Sequence, residues 1–507
     1  MIQKYPVGIQ DFGEIRNNGY VYVDKTEFVY KLVDQGKYYF LSRPRRFGKS
    51  LFISTLECLF LAKKELFKGL YIEDKWNWEQ TNPIIRISFS NIGHKYLGLK
   101  DAIDKRLEEI AKEYDNIAFS AQTIDQKFKE LIEKLSETRG KVVVLIDEYD
   151  KPIIDYLGDQ TEKAIENRDI MKAFYSVLKD ADPHLKLVFI TGVSKFSRVS
   201  IFSDLNNLQD LTTNQFFSGC CGITQDELEI YFEKELQVSD KERIKEWYNG
   251  YSWDLEVSVY NPFSLLNFFI QGYKFRNFWF ETGTPTFLIK LSEKAHLYDF
   301  EDIEVGANAL SSYDIQKLDL IPLMFQTGYL TMKSYSEMSE VYVLSYPNKE
   351  VRKSYIEYLM SAYSQTDAGF GVVYVDKIRQ YLEKGEIDRV EGILNTIFKS
   401  LPYELWQKEN EHFYHAIIHL TFTLLGVYVQ SEVQTSDGRM DALIRLKDYI
   451  YCIEFKLDES ADKAIQQIKD KGYLQPFAHE DKKLIAIGIN FSKEKKKVEE
   501  LKWEEVL

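Results

Sequence analysis

Along the first half of the chain, short apolar runs alternate with amphipathic stretches, as strands do when helices connect them into a parallel sheet. Within residues 37–225 the expected strands are Tyr38–Leu41, Ile84–Phe89, Val142–Ile146 and Leu187–Thr191. The last two are near-continuous apolar runs, which predicts strands covered by helices on both faces. After about residue 225 helical segments dominate: Gln225–Glu235, Phe263–Ile270 and Ile315–Phe325. Two strand-like runs follow, Tyr329–Tyr335 and Glu340–Tyr346, joined by polar Ser336–Ser339 as in a hairpin. Helices followed by a hairpin suit a winged-helix lid. Residues 349–400 form a helical connector, and from 401 a long helix leads into strands and a closing helix. The expected division is therefore 1–225, 226–348, 349–400 and 401–507.

Composition narrows the picture. The 507 residues are 45% apolar and 28% charged, an ordinary globular balance, with an unusually large aromatic share of 15%. Asp and Glu outnumber Lys and Arg, 79 to 65, for a formal charge of −14. Such a chain has no global attraction for a polyanion, so any nucleic-acid contact has to come from local basic patches. Residues 401–507 supply no obvious one, with 15 Lys and Arg against 19 Asp and Glu. The four cysteines, Cys58, Cys220, Cys221 and Cys452, make no disulfide framework and no zinc or redox spacing, and read as small buried apolar side chains. Met1–Ile15 lacks the pattern of a signal peptide, and Ala416–Val429 is too short to cross a bilayer. A cytoplasmic protein without a membrane partner is the expectation.

The chemistry begins after the first strand, at Ser42-Arg43-Pro44-Arg45-Arg46-Phe47-Gly48-Lys49-Ser50. A phosphate-binding loop has the pattern G-x-x-x-x-G-K-[ST]; Gly48, Lys49 and Ser50 fit it, and Arg43 stands where the first glycine belongs. Amides at a helix N-terminus cradle phosphate. Arg45, Arg46, Phe47, Gly48, Lys49, Ser50 and Leu51 are accordingly the expected ATP contacts, with Lys49 on the β- and γ-phosphates and Ser50 on Mg²⁺. Downstream, the apolar run Val142–Ile146 ends in Asp147 and Glu148. This is the Walker B form, in which Asp147 holds the metal and Glu148 polarises the attacking water. Thr191, ending the fourth strand, stands where a sensor polar residue belongs. Arg198 offers an arginine finger, although a surface arginine is the plainer reading.

The run Arg43–Ser50, preceded by Tyr22-Val23-Asp24-Lys25-Thr26, resembles the bacterial AAA-ATPase-like family. Tyr260-Asn261-Pro262-Phe263 and Gly328-Tyr329-Leu330 extend the resemblance over nearly the whole chain. In that family the arginine-rich loop is the usual form, and the resemblance implies a C-terminal nuclease-like domain. AAA-like ATPases often act as rings, so a homo-oligomer is compatible with it.

The C-terminal residues support that implication independently. Met440–Leu446 and Tyr449–Phe455 form a hairpin if Lys447-Asp448 is its turn, and 446 then pairs with 449. The same register sets Asp441 opposite Glu454, and like charges so placed suggest a cation between them. Glu454 and Lys456 share one face of their strand, whereas Ile453 and Phe455 face the other. The pattern D-x₁₂-E-x-K resembles the PD-(D/E)xK nuclease core, with Met440 in place of its proline. That resemblance implies a helix carboxylate at Glu411, metal ligands at Glu411, Asp441 and Glu454, and substrate positioning by Gln467 and Tyr473. Asp441, Glu454 and Lys456 would be the catalytic residues, with Mg²⁺ activating water and Lys456 orienting it or stabilising the transition state. The plainer reading of Glu454 and Lys456 is a surface ion pair.

The fold expected is α/β throughout: an AAA-like P-loop NTPase parallel sheet, a mostly helical lid with a winged-helix hairpin, and a restriction-endonuclease-like C-terminal domain. The expected function is ATP binding and hydrolysis coupled to metal-dependent cleavage of DNA or RNA, in defence or mobile-element biology. Its competitor is an ATP-driven switch or scaffold whose nuclease-like domain binds nucleic acid or a protein without cutting.

Overall fold

A computed structural model of the chain describes residues 3–158, 160–195, 201–202, 205, 207–280, 286–295, 297–310, 319–364, 369–399, 411–429 and 442–506. The chain forms two compact units: residues 1–287 with 300–350, and residues 288–299 with 351–507.

The first unit is built on a five-stranded sheet of β1 (Tyr38–Ser42), β2 (Ile84–Ser88), β3 (Val142–Asp147), β4 (Leu185–Gly192) and β5 (Gln209–Asp210). Their order is β2-β3-β4-β1-β5 and every pairing is parallel. Parallel strands need crossover connections, and the amphipathic helices Leu99–Glu113, Ile124–Arg139 and Thr161–Asp180 lie between them in sequence. Alternate strand residues Tyr38, Phe40, Val142, Val144, Ile146, Val188 and Ile190 share one core with those helices. The intervening residues are buried as well, and on that side Phe189 of β4 packs against Phe52 of helix Lys49–Phe60, ring centroids 5.5 Å apart. Burial on both faces explains why β1 and β3 carry unbroken apolar runs.

The remainder of this unit adds short helices and two small sheets. β6 (Ile223–Thr224) and β7 (Val259–Tyr260) form an antiparallel pair. β8 (Ile303–Gly306), β9 (Thr331–Ser336) and β10 (Val341–Ser345) form a sheet in the order β8-β10-β9. The expected hairpin is thus present as β9–β10, with a third strand that the sparse pattern of Ile303–Gly306 did not signal. The helix expected over Gln225–Glu235 is broken at Phe232, whose side chain is buried, with Tyr231 ending one helix and Glu233 beginning the next.

In the second unit, β11 (Ala442–Arg445), β12 (Tyr449–Leu457), β13 (Lys483–Ser492) and β14 (Lys497–Glu505) form a mixed sheet in sequence order. β11 and β12 pair antiparallel with Ala442 opposite Ile453 and Arg445 opposite Ile450, the expected register. Leu446 N–H donates to Tyr449 O at 2.8 Å, closing the turn. Helix Ala461–Asp470 crosses over to β13, which pairs parallel with β12. Where a closing helix was expected, the chain ends in β13 and β14, paired antiparallel. The charged run Lys493–Glu500 is their turn and the start of β14, an edge strand whose charges meet water on its open side.

Phe128 and Phe174 stack with centroids 4.4 Å apart in the core of the first unit, both without solvent exposure. Phe128→Ala should lower the stability of this unit by about 3–5 kcal/mol. An unchanged urea midpoint for that unit would contradict the packing described.

Candidate functional sites

β1 runs into the loop Arg43–Phe47, and Gly48 starts the helix Lys49–Phe60. The loop turns at Arg46 (φ 68°) and Gly48 (φ 97°), both in the left-handed region. Arg43 does not lie there, so the place of the missing glycine makes no demand for one. Arg43 has no solvent exposure. Its guanidinium donates to Ser42 O at 2.9 Å, Thr212 O at 2.8 Å and Phe217 O at 3.4 Å, and its charge lies 4.1 Å from the centre of the Trp253 ring. A buried cation over an indole face, with backbone acceptors at its edge, is a strong anchor.

Further contacts hold the same loop. Phe47 meets Tyr251 and Trp253 edge to face, at 4.7 Å and 5.7 Å. Arg46 lies over Phe263 at 5.1 Å, and Trp279 Nε1 donates to Arg45 O at 3.1 Å. A Cβ on Gly328 (φ 87°) would approach Pro44 to 2.5 Å, so this position demands glycine twice over, for conformation and for space. The aromatic residues Tyr251 and Trp253 lie in a core that clasps the loop.

Lys49 is buried, and its Nζ donates to Arg43 O and Pro44 O, both at 2.9 Å. Burial pushes its pKa down, while Asp147, Glu148, Cys221 and Asp150 pull it back up. Asp147 ends β3 and accepts from Thr191 Oγ1 at 2.8 Å, which brings these two expected residues together across β3 and β4. Glu148 follows in the left-handed region (φ 52°), and burial raises its pKa against the pull of Lys49. Arg45, Arg46, Gly48, Lys49, Ser50, Leu51 and Glu148 line one cavity of about 430 Å³. That volume suits a small-molecule site. Phe47 lies under the loop in the aromatic cluster, and Arg198 lies outside the described residues.

Asp150 also lines this cavity and was not singled out in the sequence. Its Oδ2 accepts from Val193 N, Ser194 N and Ser194 Oγ at 2.9, 2.7 and 2.8 Å. Burial raises its pKa, and the Ser194 hydrogen bonds lower it. Tyr149 O–H donates to Ser194 O at 2.8 Å, and Lys195 N–H donates to Gln326 Oε1 at 2.8 Å. The strand end that bears Thr191 is thus tied to the residues after Asp147 and to helix Leu320–Thr327. A second carboxylate three residues past Asp147 was the available signal.

In the second unit, Glu454, Lys456 and Gln467 converge. Glu454 is buried at 3% exposure on the β12 face that meets helix Ala461–Asp470. Gln467 Nε2 donates to Glu454 Oε1. Lys456 Nζ donates to Gln467 Oε1 at 2.6 Å and lies 3.5 Å from Glu454 Oε1. A near-fully buried carboxylate distinguishes this pair from a surface ion pair. Gly488 on β13 pairs with Glu454, and a Cβ there would approach Ala461 O to 2.2 Å; the glycine lets the helix lie close beside Glu454. Ile453 and Phe455 face the other way, with Phe455 5.1 Å from Phe422 of helix Glu411–Val429. Tyr473 packs in the apolar cluster of Leu443, Ile450, Cys452 and Ile468. Asp441 lies outside the described residues; Glu411 opens its helix, and its side chain is likewise outside them. Among the described residues no group of three His, Cys, Asp or Glu side chains is arranged to hold a metal ion, and no helix is long and apolar enough to cross a membrane.

The parallel sheet with a strand–loop–helix cradle beside an acidic strand end defines a P-loop NTPase fold, and the mixed sheet bearing Glu454 and Lys456 defines a nuclease-like one. Comparison with known proteins agrees. Residues 6–202 match the family described as "Predicted AAA-ATPase", and residues 409–501 match the PD-(D/E)XK nuclease superfamily. An uncharacterized protein in the vnfD 5' region of Azotobacter chroococcum mcd 1 is 39% identical over 511 residues, 98% of each chain. The protein therefore belongs to the AAA-ATPase-like family, with a C-terminal PD-(D/E)XK nuclease superfamily domain. A solved structure of the Aeropyrum pernix ORC1 protein in complex with DNA overlaps 64% of this chain and 90% of its own, at 11% identity and a TM-score of 0.26.

Restoring the missing glycine by Arg43→Gly should weaken the protein, because Trp253 and the carbonyls of Thr212 and Phe217 lose their cation. The expected loss is about 3–5 kcal/mol, from a desolvated cation–π contact and hydrogen bonds to a charged group. Thermal unfolding of the first unit at or above the wild-type temperature would contradict this role.

Proposed function

We propose that the first unit binds and hydrolyses ATP in the cavity beside Lys49, and that the second cleaves nucleic acid at Glu454 and Lys456. The observation that supports the ATP site most is the buried Lys49 ammonium on the carbonyls of its own loop, next to Asp147 and Glu148. A nucleotide's phosphates would offer that ammonium better acceptors than two neutral carbonyls. Gly48 and the following amides would cradle them, Ser50 and Asp147 would hold Mg²⁺, and Thr191 would orient Asp147. Glu148, with its raised pKa, would take the proton of the attacking water. Bound Mg²⁺ would neutralise charge on the transferring phosphoryl group.

For the second unit, Glu454 would hold Mg²⁺ together with Asp441 and Glu411, while Lys456, steadied by Gln467, would stabilise the charge that develops on a phosphodiester. The metal supplies Lewis acidity to that reaction. Tyr473 would act through packing beside the helix that carries Gln467. Within this reading, residues 1–225 make the ATPase domain, 226–348 its lid, 349–400 a connector and 401–507 the nuclease domain. The protein would work in the cytoplasm of a bacterium, in defence or on mobile DNA, as a monomer or a homo-oligomer.

Labelled single- and double-stranded DNA and RNA, incubated with Mg²⁺ or Mn²⁺ with and without ATP, test the proposal. Cleavage should disappear in Lys456→Ala, and ATP binding should disappear in Lys49→Ala. Cleavage by Lys456→Ala at the wild-type rate would reject the nuclease assignment, and unchanged nucleotide affinity in Lys49→Ala would reject the ATP site. No cleavage on any substrate with ATP still hydrolysed would favour the switch or scaffold, for which the net charge of −14 speaks.

A further inference from the structure

Cys220 and Cys221 are adjacent in the chain, and both are buried with free thiols. Both line a small apolar cavity of about 100 Å³ with Phe47, Gly48, Leu51, Phe52, Phe232 and Leu266. One wall of that cavity is therefore the phosphate-binding loop and the start of its helix. Gly222 N–H donates to Phe47 O at 2.9 Å, so the backbone that carries the two cysteines is hydrogen-bonded to the loop. Cys221 and Lys49 lie close enough for each to affect the other's charge. Two thiols on adjacent residues, meeting in an apolar cavity, form a chelating pair for a soft, thiophilic atom.

We propose that Cys220 and Cys221 form a vicinal dithiol site for monosubstituted trivalent arsenicals, whose occupation disables the neighbouring phosphate-binding loop. The neighbouring Cys221 thiol, with Arg43 and Lys25, lowers the Cys220 pKa against the opposing effect of burial, so that Cys220 attacks first. With methylarsine oxide, CH₃–As=O, two S–H bonds break and two As–S bonds form. The oxygen leaves as water with both protons, arsenic stays trivalent, and no oxidant is needed. The methyl group suits the cavity, since an engineered apolar cavity of ~150 Å³ takes a benzene ring and this one is smaller. The added arsenic and methyl group would press on Phe47, Gly48 and Leu51 from beneath the loop, and Gly48 and Leu51 also line the candidate nucleotide cavity.

The site itself is independent of the ATP reading; only its effect on the loop rests on it. The full-length protein, freed of added thiols, is treated with methylarsine oxide and examined by intact mass. One stable adduct per chain is expected, with two thiols lost to maleimide labelling after denaturation, and release by a dithiol but not by excess glutathione. Cys220→Ala and Cys221→Ala should each lose the glutathione-resistant adduct, and Cys58→Ala and Cys452→Ala should keep it. Affinity for Mg·ATP in the wild type should fall at least about tenfold with the adduct and recover after dithiol treatment. A resistant adduct that persists in Cys220→Ala or Cys221→Ala overturns the site. Unaltered Mg·ATP affinity with the adduct in place overturns its action on the loop. A wild type that binds no nucleotide before treatment removes the ATP reading and leaves the adduct measurements as the test of the site.

Discussion

A guanidinium removed from water must find its partners inside the protein, and Arg43 finds them in the backbone of residues 42, 212 and 217 and in the face of Trp253. Leaving such a charge unpaired would cost several kcal/mol, so these segments are fixed relative to one another. Ser42 ends β1, Thr212 and Phe217 lie in the segment just after β5, and Trp253 lies farther downstream. Phe47 adds a second contact to Trp253, and Arg45 and Pro44 meet the later residues Trp279 and Gly328. The shape of the candidate nucleotide cavity follows from this clasp. A loop that starts with glycine would be supported by its turn alone, whereas this one is supported by the residues packed upon it.

The same logic runs through the acidic end of the sheet. Asp147 is oriented by Thr191, and Asp150 collects the amides and hydroxyl of the segment just after Thr191. Lys195 then links that segment to Gln326. The acidic strand end is thereby linked through short hydrogen bonds to helix Leu320–Thr327. In the second unit one glutamine does comparable work: Gln467 bonds to both Glu454 and Lys456 and so sets the distance between a buried acid and the cation beside it.

How much of this was legible in the sequence depended on whether a feature is local. The strands β1 and β3 announced themselves because burial on two faces forces unbroken apolar runs. The register of β11 on β12 followed from a two-residue turn and the alternation of side chains, and it holds from Ala442 to Arg445. The convergence of Glu454 and Lys456 came from their spacing of two. Asp441 and the side chain of Glu411 lie outside the described residues, so the cation expected between Asp441 and Glu454 stays with the sequence argument. What sequence could not give was non-local. Arg43 looked like a flaw in a motif, and its function emerges only once Trp253, 210 positions on, lies over it. β8 and β14 were missed for a different reason: each is an edge strand with an exposed side, which weakens the apolar signal.

The clasped loop is proposed to receive a nucleoside triphosphate. Calorimetric titration of the wild-type protein with ATP, in the presence and absence of Mg²⁺, tests it most directly. Saturable binding of one nucleotide per chain is expected, tighter with Mg²⁺ than without. No saturable binding of ATP at any Mg²⁺ concentration would contradict it.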